Sequence, residues 1–320
     1  MRFAAWLWFA RDAGVEPPKP FSAGGRNLRN LSSVTWSVPF SRGRSTAGRW
    51  IQPHGCAGVS DELDPRAFRC HVTPMSDQPG TRVYPRPPIV EAVIEFRFAE
   101  AQPLNEMLDA IGARLQATYS GKPHDQFRTE TKISISPDGP KTEATTVKVR
   151  TFLKSADGSR LVGCGDTTLS VHVLAPYPGW QLFLGQAKEA AAVLPEIVRS
   201  ARLTEVMLRY VDQLRVPNDA VAHDYLNVLP NPPLGFPQPL KAFQVMVESA
   251  DETTKGRFTV ASTRTQDNKA AFVTDAILTR PLLDTTLALP AWEATLQDLH
   301  AAHVKLFEAT ITDKARSLFQ

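Results

Sequence analysis

The sequence predicts an α+β protein: an antiparallel sheet, or sheets, with helices packed on one face. Three observations predict it. Apolar and polar residues alternate through Ile89–Phe98 and again through Leu203–Val216, the period of a strand with one buried and one wet face. Alternation of that kind belongs to antiparallel sheets, because parallel strands are covered on both faces and read as continuous apolar runs. Other segments repeat their apolar residues at helical spacing, and turn signals such as Pro137-Asp138-Gly139-Pro140 and Ala156-Asp157-Gly158 separate short strands.

In the first strand Val90, Ala92, Ile94, Phe96 and Phe98 form the apolar face, while Glu91, Glu95 and Arg97 share the other. Leu104, Met107, Leu108, Ile111 and Leu115 then predict an amphipathic helix over 103–118. Strands follow near 127–136, 145–154 and 160–174. A second helix, from about Trp180 to Ser200, is built on Leu182, Ala187, Ala191, Leu194 and Ile197. Alternation resumes with Val206, Leu208 and Tyr210 on one face and Glu205, Arg209 and Gln213 on the other. After a Pro-rich link at 217–239 come strands near 240–249, 256–265 and 270–281, then a closing helix at about 290–318.

Each half therefore reads strand, connection, three strands, helix, which predicts a duplicated unit with halves 88–200 and 202–320. The connection is a helix in the first half and an irregular loop in the second. Two halves sharing one curved sheet would bring their closing helices together behind it.

Residues 1–74 hold ten Lys/Arg against five Asp/Glu and four of the chain's six Trp, and they keep no period for long enough to form an element. Such a segment buries too little apolar surface to offset the entropy of ordering it. A disordered leader is expected there, upstream of a true start at or near Met75, with the α+β body at 75–320. The body then carries 26 Lys/Arg against 28 Asp/Glu. A nucleic-acid partner is not expected from that balance, since such binding needs concentrated cations. No apolar run reaches the ~20 residues of a membrane span, and the opening apolar stretch stops at Arg11 without a cleavage site, so a cytoplasmic protein is expected.

Few residues carry recognisable chemistry. Cys164 reads as a small buried hydrophobe. His300 and His303, three apart on a helix, read as polar-face residues in place of metal ligands, and no cofactor or metal is expected. Gly163-Cys164-Gly165 lacks the lysine and helix of a phosphate loop and reads as a strand kink or bulge. At Thr312–Arg316, Asp313 is badly spaced to pair with Lys314 or Arg316, so helix capping is expected. The strongest constellation is the wet sheet face. Glu91, Glu95, Arg97, Glu205, Arg209 and Gln213, with His172 and the further polar residues Lys148, Arg150 and Ser170, would converge there if the halves share a sheet.

Three stretches carry a resemblance. Tyr84-Pro-Arg-Pro-Pro-Ile-Val-Glu-Ala-Val-Ile-Glu-Phe-Arg-Phe98, Leu208-Arg-Tyr-Val-Asp-Gln-Leu214 and Leu306-Phe-Glu-Ala-Thr-Ile-Thr-Asp-Lys-Ala-Arg316 resemble the opening, central strand and closing helix of a sporadically distributed family of bacterial conserved hypothetical proteins. Met207 stands where the family usually has Gly. The resemblance spans about 80–320 and implies an accessory or defence-type gene product with no assigned chemistry. The expected function is a non-catalytic interaction protein that binds a protein partner or itself. The alternative is a hydrolase using Glu91 or Glu95 with His172.

Overall fold

The computed structural model describes residues 82–136, 139–194, 201–233, 235–237, 240, 242–265, 267–288 and 290–320. The expected leader, the boundary at Met75 and the 195–200 end of the second helix lie outside the described residues. In chain order the elements are β1 (Ile89–Phe98), α1 (Leu104–Arg114), β2 (His124–Ser136), β3 (Gly139–Lys154), β4 (Arg160–Gly165), β5 (Thr168–Leu174), α2 (Trp180–Ala192), β6 (Leu203–Arg215), β7 (Gln244–Ala250), β8 (Lys255–Arg264), β9 (Ala270–Thr285), α3 (Ala291–Thr310) and α4 (Asp313–Arg316).

The strands form one nine-stranded antiparallel sheet in the order β2-β3-β4-β5-β1-β6-β9-β8-β7. The two predicted halves share this sheet, joined where β1 pairs with β6. Outward from that seam, β5, β4 and β3 on one side answer β9, β8 and β7 on the other. The segment 160–174, read as one strand, is a hairpin that reverses at Asp166-Thr167, so the first half has one strand more than the second.

Alternation puts Ala92, Ile94, Phe96, Val206, Leu208 and Tyr210 on the helix-covered face, all buried. Met107 and Ile111 of α1, Phe183, Ala187 and Ala190 of α2, and Trp292, Leu296 and Leu299 of α3 close over them. The closing helices of the halves pack together as expected: Lys188 Nζ lies 2.5 Å from Glu293 Oε2, and Trp180 Nε1 donates to Gln297 Oε1 at 2.7 Å. In the second half the irregular link takes the place of α1. Its Tyr225 and Leu226 fill a smaller core with Phe272, Ile311 and Phe319.

The closing helix is shorter than predicted. It ends at Thr310; Ile311 is extended and bridges to Leu226, and Thr312 caps α4 by accepting from the Ala315 amide at 3.3 Å. Arg316 reaches both Glu308 (2.8 Å) and Asp313 (2.7 Å), correcting the expectation that Asp313 pairs poorly. With 94% of its side chain exposed, Asp313 gains little from that bond.

His300 and His303 do not lie on a polar face. His303 stacks on Tyr210 of β6 and His300 on Trp180 at the start of α2, each with ring centroids 4.1 Å apart. Burial lowers His300 to about 4, and burial with the neighbouring His300 lowers His303 to about 3, so both rings are neutral at pH 7. The opening and closing motifs of the family resemblance meet across this end of the body. Tyr84 donates to Glu308 at 2.6 Å and sets its ring edge-on to Phe307 and Phe319, while the Arg86 amide donates to the Phe319 carbonyl at 3.2 Å. Among the described residues no helix is long and apolar enough to cross a membrane.

One carboxylate stands on the apolar face. Asp212 is 1% exposed and accepts from Thr274 Oγ1 at 2.8 Å. Burial, assisted by the charge of Asp275 and only partly offset by Thr274, pushes it up to about 7. The folded chain therefore keeps a proton that the unfolded chain releases, and Asp212 subtracts stability as pH rises through that interval. Asp212→Asn retains the acceptor for Thr274. It is expected to raise the thermal midpoint at pH 8 by about 5 °C, or ~2 kcal/mol for a body of this size. The gain should fade towards pH 4, which scanning calorimetry at the two pH values checks.

Candidate functional site

On the other face of β1 and β6 the polar and charged residues of five strands form one chain, which also crosses β4. Glu95 lies near its middle, accepting from Arg97 Nε and Arg150 Nη2, both at 2.8 Å. Arg97 Nη1 donates to Glu205 at 2.5 Å. Arg150 Nη1 donates to Ser170 Oγ at 3.2 Å, and that hydroxyl lies 3.0 Å from His172 Nε2. His172 Nδ1 donates to Glu91 Oε1 at 3.0 Å, and Glu91 Oε2 stands 3.9 Å from Arg209 Nη1. Arg209 ends the chain with a two-pronged pair to Asp275 at 2.8 and 2.9 Å.

Register explains the convergence. β1 pairs with β5 and β6 so that Glu95 faces Ser170, Val93 faces both His172 and Arg209, and Arg97 faces Glu205. Arg150 belongs to β3, three strands from β1, and reaches Glu95 only by lying across β4 and β5. Gly163 makes that crossing possible. A Cβ there would come within 2.6 Å of Phe152 Cε1 and Ser170 Oγ and within 2.8 Å of Arg150 Cδ. The expected kink or bulge at Gly163–Gly165 is absent: β4 pairs with β3 and β5 without a register shift. These glycines serve close approach, and Cys164 between them points into the core, where burial pushes its thiol up to about 12.

The centre of this face is not solvated as the alternation implied. Glu91, Glu95 and His172 are 7%, 5% and 6% exposed, and Phe152 and Val93 are buried among them. Burial alone would raise both carboxyls. Bonding to His172 and the charges of His172 and Arg209 outweigh it at Glu91, and Arg150 and Arg97 outweigh it at Glu95, so both lie below their usual range. Arg209 is held above its usual value against burial by Asp275, then by Glu91 and Glu95.

Six of the seven residues expected to form a surface are thus in one network. Gln213 is not; it accepts from Arg215 Nε at 3.3 Å, two residues along its own strand. Sequence pattern alone misses Asp275, although it occupies an outward position of a recognised strand. Only the β6–β9 register, which sets Val211 opposite Asp275, brings it beneath Arg209. Among the described residues no group of three His, Cys, Asp or Glu is placed to hold a metal ion. Comparison with protein-family models and with the curated proteins finds no match.

Glu91, His172 and Ser170 stand in the order of a carboxylate–imidazole–hydroxyl relay. Ser170, however, is 0% exposed, and its oxygen is also engaged by Arg150 and lies 3.3 Å from the Gly163 carbonyl. In this structure that hydroxyl is enclosed on all sides. The network is suited to fixing the five strands relative to one another.

Gly163→Ala is expected to cost about 2 kcal/mol in urea unfolding, because Phe152, Ser170 and Arg150 must all give way. Glu95→Gln leaves two guanidiniums facing a neutral amide in a buried site and should cost about 3 kcal/mol at pH 7. Since Glu95 titrates below its usual range, its contribution is present above the unfolded carboxyl value and lost as pH falls. The mutant deficit should therefore shrink in urea titrations repeated near pH 3.

Proposed function

We propose that the chain is a non-catalytic interaction protein that adds an extended strand of a protein partner, in the first instance a second copy of itself, to the free edge of its sheet at β7. The observation that carries this reading is the weak protection of that edge among the described residues. Exposed strand edges are normally blunted by charge, proline or a bulge, because their unpaired amides and carbonyls accept further strands. β7, Gln244–Ala250, carries a single charge, Glu248, has neither Lys nor Pro, and pairs with β8 without a bulge, and Met246 and Val247 are 57% and 51% exposed. The opposite edge is guarded. β2 has a register shift at Gln126/Phe127 and displays Asp125, Arg128 and Glu130.

Self-pairing is compatible with the residues. With Val247 opposite its own copy in an antiparallel pair, Met246 of one chain faces Glu248 of the other and Val245 faces Ser249, so no like charges are opposed. Main-chain bonds would supply affinity and the side chains register, the general logic of strand addition. A bacterial, cytoplasmic setting belongs to the same proposal, as does the exclusion of nucleic acid. It rests on the near-neutral body and on a charged face whose central guanidiniums, those of Arg97, Arg150 and Arg209, are already paired.

Sedimentation velocity of the full chain is expected to show a dimer at micromolar concentration. Val247→Pro should weaken it at least tenfold with an unchanged far-ultraviolet spectrum. A wild-type chain that stays monomeric, or a dimer indifferent to Val247→Pro, overturns the self-pairing. The second reading, a hydrolase, is favoured only by the Glu91–His172–Ser170 line. Labelling of Ser170 by a fluorophosphonate probe in the folded protein would establish it and displace the first.

A further inference from the structure

The helix-covered face contains a cavity that the network on the opposite face does not touch. It measures about 580 Å³, within the usual range for small-molecule sites. Its walls are the segment Arg82–Ile89, the turn into α2 at Tyr177–Leu182, Tyr210 and Asp212 of β6, and the stretch of α3 from His300 to Glu308. Val83 and Leu182, 89% and 63% exposed, mark its rim. Gly179 turns the chain into α2 with φ 97°, a conformation disfavoured for other residues, and delivers Trp180 to the wall.

The lining is aromatic, with a few polar atoms that converge. Tyr177 and Tyr210 share a hydroxyl–hydroxyl bond of 3.1 Å, and the Tyr210 hydroxyl lies 3.2 Å from His300 Nδ1. His303 is 5% exposed, lines the cavity, and its buried Nε2 has no hydrogen-bond partner. A buried polar atom left unpaired is destabilising, and native interiors leave few of them. Buried water could satisfy that nitrogen in a small polar pocket, but this space is several times larger and mostly apolar.

We propose that this cavity is a binding site for an uncharged aromatic small molecule bearing a hydroxyl or ring N–H, whose polar group bonds His303 Nε2 while its ring lies among Trp180, Tyr210 and Phe307. The proposal stands apart from strand addition at β7. Charge decides the class. Both histidines are neutral and the nearest carboxyl, Asp212, is buried, so the interior offers no fixed cation for a carboxylate or phosphate. Arg82, the one Lys or Arg among the described residues of the lining, is exposed to solvent, and Glu308 is already paired with Tyr84 and Arg316.

The test is calorimetric titration of the full chain with 2-naphthol, naphthalene and 2-naphthoate, together with the ¹⁵N signal of His303 Nε2 in the wild-type protein. The expected result is one saturable site for 2-naphthol, at least tenfold weaker binding of naphthalene and of 2-naphthoate, and a displaced Nε2 signal in the 2-naphthol complex. His303→Phe keeps the ring stacked on Tyr210 and should reduce 2-naphthol to the affinity of naphthalene. Absence of a saturable site, or 2-naphthol binding that leaves the Nε2 signal unmoved, overturns the proposal. Because the signal is read in the wild-type chain, the test remains decisive even if His303→Phe fails to fold.

Discussion

The antiparallel pairing of β1 with β6 is the contact on which the rest of the protein depends. It joins two halves that have different connections and different numbers of strands, and it does so at the centre of the sheet, where both faces are occupied. On the helix side the paired residues Ala92–Tyr210, Ile94–Leu208 and Phe96–Val206 are the middle of the core. On the other side Arg97 and Glu205 form an ion pair across the same seam. A slip of one residue would exchange these faces and bring charged side chains such as Glu95 and Arg209 under the helices, so the seam has one tolerable register.

Period two therefore distributes two kinds of chemistry from neighbouring residues. Arg209 belongs to the ionic chain, and Tyr210, one residue on, supports two imidazoles in the cavity. The ionic chain is neutralised from within: each of Glu91 and Glu95 meets at least one cation, and Arg209 meets two carboxylates. Burying such groups is tolerable only when every one is matched, and a matched network acts chiefly by fixing geometry. The cavity has the opposite character, with apolar walls and a polar atom left unmatched.

Much of this is legible in the residues. Alternation in Ile89–Phe98 and Leu203–Val216 separates the charged from the apolar face correctly but does not show that the middle of the charged face is buried, and duplication puts both strands in one sheet. What alternation does not encode is the pairing register, and so it misses Asp275 under Arg209 and includes Gln213, whose strand continues past the network. Gly163 reads as a break because glycine in a strand has two physical meanings, a distorted backbone or a close neighbour, and only the position of Arg150 distinguishes them. His300 and His303 mislead for a similar reason. Helical spacing shows that two residues share a face, but their burial depends on the tryptophan and tyrosine that another part of the chain supplies.

The clasp between Tyr84–Arg86 and Phe319 has a consequence in time. A ribosome makes the clasp's first partner before any described strand of the sheet, and its second partner only after all of them. β1 likewise waits for β5 and β6, its neighbours on either side. The wall formed by Arg82–Ile89 faces α3 across the cavity, so the aromatic cavity can be completed only after the strands between these two segments have been made.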